Sequence, residues 1–358
     1  MSTVLATAPA SVSGLVRPRL PRWAPVLAVV VAFAASALLT VAMGWGPVAL
    51  VIVAAPIFLV AYPGWALVVE GRRSATDRLM TGLVWAAFLL AIAPLFSLIY
   101  TVISKGAPEI DSTFLTTSMF RTSLDQPVGI YHALIGTLLI TLFAALLAVP
   151  IGIFSAIYLV EYGKGRRLAR TITFLVDVMT GIPSIVAGLF AAAFFGMILG
   201  PNARMGIVAA VALSVLMIPT VVRSTEEMLK IVPNELREAS FALGVRRWRT
   251  ILKVVIPTAI SGIASGVTLA IARVIGETAP ILVTAGIASQ INMNVFANWM
   301  STLPTFIYYQ ILTPTSPTNI DPSVQRAWAA ALLLILMVMA LNLIARLVAS
   351  IFAPKKGR

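Results

Sequence analysis

One apolar run of the 358-residue chain, 258–285, contains an arginine and a glutamate four residues apart, Arg273 and Glu277, with Thr278 beside them. A charged side chain at membrane depth costs at least about 2.5–3.5 kcal/mol on insertion scales, so it faces a partner or a wet cavity. On a continuous helix the i, i+4 spacing sets both groups on one face, close enough to pair. Two chemistries fit. A guanidinium presents planar, paired donors to an oxyanion, and a carboxylate accepts from a P–OH group that sulfate lacks. The same two groups can instead neutralise each other as a structural ion pair, and such a pair can open when an anion arrives. Gly276 and Pro280 interrupt the segment, and loosened backbone is tolerated at this depth where it faces protein or a cavity. Arg273, Glu277 and Thr278 are the candidate translocation residues. Asp177, in another apolar run, is expected to reach the interface or bond a neighbouring helix rather than carry solute.

Other chemistries have no residues to support them. The chain has no cysteine and one histidine, His132, so a disulfide, a Cys-based metal site and a His-rich metal site within the chain are all excluded, and no cofactor is expected. The glycine-lysine frame that cradles ATP phosphates is absent. Lys105 and Lys164 lie near glycines without it, so ATP hydrolysis would have to come from a separate chain.

The elements that position these residues are read from hydropathy. Hydrophobic residues make up 59% and charged residues 11%, against roughly 25% charge in a soluble domain, and the mean hydropathy is +0.98. Eight apolar runs are candidate membrane spans: 24–43, 48–69, 79–103, 131–160, 172–199, 205–222, 258–285 and 328–352. Runs of about 20 residues cross a hydrocarbon core roughly 30 Å thick. Gly44-Trp45-Gly46-Pro47 joins the first two as a hairpin. The Arg-flanked first run also resembles a signal peptide, but it continues to Val41 and a second span follows at once, so a retained helix is expected.

The net charge of +13 would suit nucleic acid, yet the basic residues sit in short loops between apolar runs and form no stripe or tail. Such segregation follows the positive-inside rule, and lipid rather than nucleic acid is the expected partner. With the N-terminus inside, 21 of the 26 basic residues are cytoplasmic; Lys105, Arg121, Arg204 and Arg326 are outside. A multi-pass protein of the cell membrane with both termini cytoplasmic is therefore expected. Of the two long outer loops, 104–130 and 286–325, the second carries Asn292, Asn294, Asn298, Trp299, Tyr308, Tyr309 and several prolines. It is either a partly folded docking surface or a solvated connector with interfacial aromatics.

The cytoplasmic loop 223–257 holds a short helix bounded at both ends. Asn234 is a good N-cap, Glu235 and Glu238 place negative charge where the helix dipole favours it, and Gly244 sits where a helix ends in a left-handed residue. Leu236, Ala239 and Leu243 form one stripe on a helix of about nine residues, which is marginal alone in water and so is expected to dock on another surface. Small residues at Ala239, Ser240 and Ala242 allow close approach.

Here the chain resembles the importer-type ABC permeases, whose cytoplasmic signature is Glu-Ala-Ala, three residues, Gly, nine residues, then Ile, any residue, Leu, Pro. This sequence has Glu238-Ala239-Ser240, Gly244 and Val254-Val255-Ile256-Pro257 at those spacings, with Ser for the second Ala, Val for Ile and Ile for Leu. The resemblance implies that the short helix is a coupling helix seated in a groove of an ATPase subunit, with Glu235, Glu238, Ala239, Ser240, Gly244 and Pro257 as its residues. The plainer reading is a surface helix packed on the membrane interface.

Further segments resemble the PstA-type permeases of phosphate ABC importers. They are Arg273-Val-Ile-Gly-Glu277-Thr-Ala-Pro-Ile, Gly181-Ile-Pro-Ser-Ile-Val186, Ala148-Val-Pro-Ile-Gly152, Tyr158-Leu-Val-Glu-Tyr162 and Ser301-Thr-Leu-Pro-Thr-Phe-Ile-Tyr308. The resemblance runs from about residue 79 to the C-terminus and leaves out the hairpin. It implies an all-α polytopic membrane protein, a six-helix type I ABC importer permease core plus an N-terminal two-helix hairpin. The expected organisation is a cytoplasmic tail at 1–23, the hairpin at 24–70, the permease domain at 79–353 with its coupling loop, and a basic tail at 354–358. The implied partners are ABC ATPase subunits, a homologous PstC-type second permease and an extracytoplasmic phosphate-binding protein. The same frame could move sulfate, molybdate, phosphonate or an amino acid. A proton-coupled secondary transporter would use Glu277 and Asp177 as proton carriers, and a non-transporting scaffold would leave the membrane-embedded Arg273 and Glu277 as an unexplained cost.

Overall fold

Small residues at every fourth position dictate the first contact in the fold. In the computed structural model, which describes residues 19–120, 128–163, 165–201, 203–314 and 320–352, helix α1 (Ala24–Ala42) buries Ala24, Ala28, Ala32, Ser36 and Thr40 along one line. Small side chains let helix backbones approach closely in lipid, where no hydrophobic effect drives association. Helix α2 (Pro47–Val69) lies against this line, and the Ser36 hydroxyl donates to the Leu50 carbonyl at 2.6 Å. The expected hairpin is therefore present. Arg17, Arg121, Lys164 and the basic tail at 354–358 lie outside the described residues, as does most of the 1–23 tail.

Helix α3 (Arg72–Gly106) follows a left-handed turn at Gly71, φ 97°. Its 35 residues span about 52 Å, well beyond the hydrocarbon core. The chain divides into two compact units between Ile99 and Tyr100, and most of α3 falls in the first. The cause is local. Arg78 of α3 pairs with Glu70 at 2.6 Å and bonds the Tyr62 hydroxyl of α2, and Gly82 packs on Leu59.

In the second unit, α8 (Gly206–Ile231) is the most enclosed of the span-length helices. Helix α5 (Tyr131–Ile157) packs along it, with Gly152 so near Val221 that a Cβ would lie 2.6 Å from a Val221 methyl. Between α3 and α5 lies the five-residue α4 (Ser112–Thr116), capped by Asp111. The core combines Ile140, Ala144 and Ala148 of α5 with Leu213 and Met217 of α8 and Ala270 of α11 (Ile256–Ile275). The last helix, α14 (Asp321–Phe352), packs on α11.

The run expected as one span at 172–199 is two helices, α6 (Arg167–Thr180) and α7 (Ser184–Leu199), meeting at 109°. Pro183 has no N–H to continue a helix and pushes Ile182 out of the helical region. Helix α6 is amphipathic, with Leu168, Ile172, Leu175 and Met179 on one face and Arg167, Arg170 and Asp177 on the other. The bent pair still runs the length of α8. Asp177 pairs with Arg223 near one end of α8, whereas Leu199 leads through a short link to Met205 at the other, roughly 26 Å away along the helix axis. Counting the pair as one span gives up to eight, the expected number.

The described part of the 286–325 loop is folded against its own unit. Beyond α12 (Ala279–Thr284), the segment Met300–Phe306 is buried and enters α13 (Leu303–Leu312) through a capping box of Thr302 and Thr305. The Leu303 N–H donates to Thr137 Oγ1 at 2.8 Å, and Ser301 bonds both backbone groups of Ala288 at 2.7 Å. Gly136 lies so close to the Ser301 carbonyl that no side chain fits there.

Candidate functional site

Helix α11 ends at Ile275, with Gly276 as its C-cap, and Glu277 donates its N–H back to the Val274 carbonyl at 3.1 Å. Arg273 therefore lies in the last turn of a helix, where a cation is favoured by the dipole. Glu277 lies beyond the helix end, so the four-residue spacing no longer stacks the two on one helical face. Both line a single cavity of about 210 Å³, yet no ion pair within 4.0 Å joins them among the described residues. The self-neutralised pair is not formed.

The rest of that cavity was not anticipated from sequence. Thr180 ends α6, Ser184 opens α7 and Thr220 comes from α8, and all three line the space that Arg273 and Glu277 enter. The bend at Gly181–Pro183 brings the start of α7, with its unpaired N–H groups, to the same place. Helix α12 is fixed against α7 by Gly188, where a Cβ would meet the Pro280 backbone at 2.6 Å. At about 30 Å³ per water, the volume holds a small anion and a few waters. The Thr180 hydroxyl already donates to the Val176 carbonyl at 2.8 Å; a guanidinium, the Ser184 and Thr220 hydroxyls, a helix N-terminus and a carboxylate together can bind a partly protonated oxyanion. Thr278 stands at the N-cap of α12, outside the cavity lining, and its carbonyl accepts from Leu282 at 3.0 Å.

Asp177 does bond a neighbouring helix. It pairs with Arg223 of α8, which also bonds Glu226 at 2.8 Å, and Glu226 bonds Lys230 at 2.7 Å.

The short helix of the 223–257 loop is α9 (Asn234–Ala242). Its N-cap is Pro233 rather than Asn234, because the chain is still extended through Val232 and Pro233. Asn234 opens the helix, and its Oδ1 is a distant 3.4 Å from an Arg237 nitrogen. The C-terminal end is as expected. Gly244 has φ 74°, its N–H donates to Phe241 at 2.9 Å, and Val245 donates to Ser240 at 3.2 Å. These bonds satisfy the last carbonyls in a Schellman arrangement.

Two side chains pin α9 from beneath. Arg237 donates to Glu161 Oε1 at 2.9 and 3.1 Å and to the carbonyls of Leu229 and Val232. Ser240 shares a 2.8 Å bond with Thr250 of α10 (Arg247–Thr250), so the serine that departs from the permease signature supplies an anchor. Glu161 is buried in a wide π turn, Tyr158–Tyr162, that continues α5, and Arg247 bonds its backbone carbonyl. A second π turn, Ile251–Val255, precedes Pro257, whose ring displaces the carbonyl four residues back. The opposite face of α9 is bare: Leu236 is 42% exposed and Leu243 83%, with Glu235, Glu238 and Ala239 also exposed. Sequence reasoning missed the Glu161–Arg237 pair. The available signal was that Glu161 is the one carboxylate between Asp125 and Asp177, set at the end of an apolar run.

The fold is that of a membrane-embedded permease of an ABC importer. A chain of a bacterial ABC transporter involved in the import of the acidic polysaccharide alginate superposes with a TM-score of 0.53 over 78% of this chain and 99% of that one, at 16% identity. Residues 148–358 match the family described as binding-protein-dependent transport system inner membrane component, and the chain belongs to that family. It is 44% identical over 279 residues to the phosphate transport system permease protein PstA 1 of Mycobacterium tuberculosis H37Rv, covering 77% of this chain and 88% of that one. It is 43% identical to PstA of Mycobacterium leprae (76% and 88% covered) and 36% identical to PstA of Haemophilus influenzae (77% and 94%). The likeness to PstA-type permeases read from separate motifs thus extends over most of the chain.

Proposed function

We propose that this chain is the permease subunit of an ABC importer that carries inorganic phosphate into the cell. Its curated relatives are phosphate permeases. The observation that carries the reading is the cavity in which Arg273 and Glu277 face three hydroxyls without pairing to each other. Arg273 and the hydroxyls of Ser184 and Thr220 donate to phosphate oxygens, and Glu277 accepts from the P–OH that distinguishes phosphate from sulfate. The bound state costs little reorganisation, because no internal ion pair has to be broken.

Both termini are cytoplasmic, in keeping with the basic-residue distribution. The bare face of α9 then meets a separate ATPase subunit, which supplies the hydrolysis that this chain has no phosphate loop to perform. Glu235, Glu238, Ala239 and Gly244 belong to that contact; Ser240 and Pro257 shape it from beneath. A homologous second permease completes the pathway, and the folded 286–325 loop receives an extracytoplasmic binding protein. Phosphate uptake by vesicles holding the reconstituted complex tests the reading: uptake requires ATP and resists a large excess of sulfate. Uptake lost to equimolar sulfate would reassign the substrate.

A further inference from the structure

A second cavity, of about 1340 Å³, opens within the first unit, upstream of the segment that matches the family at 148–358. Its origin is the way α3 is hung. Helices α1 and α2 seal against each other through small residues, whereas α3 is tied to α2 near its base by Arg78 and Gly82 and splays away above. Along α3 the cavity is lined by Ser74, Arg78, Thr81, Trp85 and Leu89, one helical face. From Ser74 to Leu89 that face extends about 22 Å, the depth of one leaflet in a bilayer roughly 40–45 Å thick overall.

The lining is graded as a lipid molecule is graded. Arg19, Glu70, Arg73, Asp77 and Arg78 lie at the base, while Phe58, Trp85 and Leu89 line the upper part. Glu70 is engaged by Arg78 through bonds at 2.6, 2.8 and 3.0 Å. With Arg19, Arg73 and Arg78 set against Glu70 and Asp77, the base holds one positive charge in excess. We propose that this cavity seats one anionic phospholipid, with its phosphodiester on Arg19 and Arg73 and its upper acyl chains along Phe58, Trp85 and Leu89.

Native mass spectrometry of the purified full chain, titrated with phosphatidylglycerol or phosphatidylcholine in mixed micelles, tests the site. The expected result is one retained phosphatidylglycerol, preferred over phosphatidylcholine. In the Arg19→Gln/Arg73→Gln variant its affinity falls about 30-fold, some five-fold per arginine near a lipid surface. If that variant does not insert, Ser74→Phe fills the cavity base and is expected to expel the lipid from an intact hairpin. Equal retention of both lipids, or unchanged retention by these variants, overturns the proposal. So does displacement of the lipid by millimolar inorganic phosphate, which would mark a free-anion site. Capture of a protein chain by a thiol reagent at Trp85→Cys, the chain's sole cysteine, would mark a protein interface and also overturn it.

Discussion

Arg237 of α9 donates two hydrogen bonds to Glu161, a carboxylate 4% exposed in the π turn that follows α5, across 76 residues of sequence. This pair joins α9 to the π turn that continues α5. Removing one partner of a buried pair strands the other charge, at about 3–5 kcal/mol. Glu161→Ala is therefore expected to lower the thermal midpoint of the chain and to stop uptake. Glu161→Gln, which keeps a hydrogen-bond acceptor, is expected to do less of both. Thermal unfolding and vesicle uptake measured on the same preparations check the order.

Gly244→Pro is expected to release the ATPase without preventing membrane insertion. Proline cannot adopt the φ of 74° found at this position, and it removes the N–H that bonds Phe241. Ala239→Glu, which adds a charge to the bare face, is expected to have the same effect with α9 intact. Co-purification of the ATPase with either variant would contradict the assignment of this face.

Arg273→Gln is expected to abolish phosphate uptake in a complex that still assembles, because a neutral amide lacks the paired cationic donors. Glu277→Gln is expected to lose discrimination. A hydrogen bond to a charged group is worth about 1.5–3 kcal/mol, so phosphate affinity should fall by about ten- to hundred-fold relative to sulfate. Competition between the two anions in vesicle uptake measures this directly.

The Glu70 carboxyl is held below its ordinary value of 4.5, first by the hydrogen bonds from Arg78 and then by the Leu20 N–H. A carboxylate whose folded value is depressed contributes stability that is fully present above the unfolded value and is lost as pH falls through the folded one. Acid unfolding of the wild type should therefore steepen below pH 4.5, and Glu70→Gln should remove that component. Tryptophan fluorescence followed against pH separates the two proteins.

Much of the architecture was legible because hydrocarbon imposes one strong rule, an apolar run long enough to cross. That rule located α1, α2 and α5 closely, and found α8, α11 and α14 with one end of each misplaced by seven to ten residues. It did not foresee the break at Ile182-Pro183, since α6 and α7 together are apolar enough to pass as one span. It was equally silent on the 286–325 loop, where residues 301–306 are buried, with contacts to Thr137 and Gly136, distant in sequence. Gly244 was legible because a left-handed helix end has a local signature. Arg273 and Glu277 stood out as charges in an apolar run, but their separation was not, because it depends on where α11 stops. The hydroxyls of Thr180, Ser184 and Thr220 carry no local signal; tertiary packing alone brings them together.

The account depends most on α9 being the seat of a separate ATPase. Because the chain has no cysteine, Ala239→Cys introduces a single thiol on the bare face of α9. In membranes containing the whole transporter, a short thiol-directed cross-linker at this position is expected to capture the ATPase subunit, with a yield that changes on adding ATP. Capture of lipid alone, at a yield indifferent to nucleotide, would contradict the account.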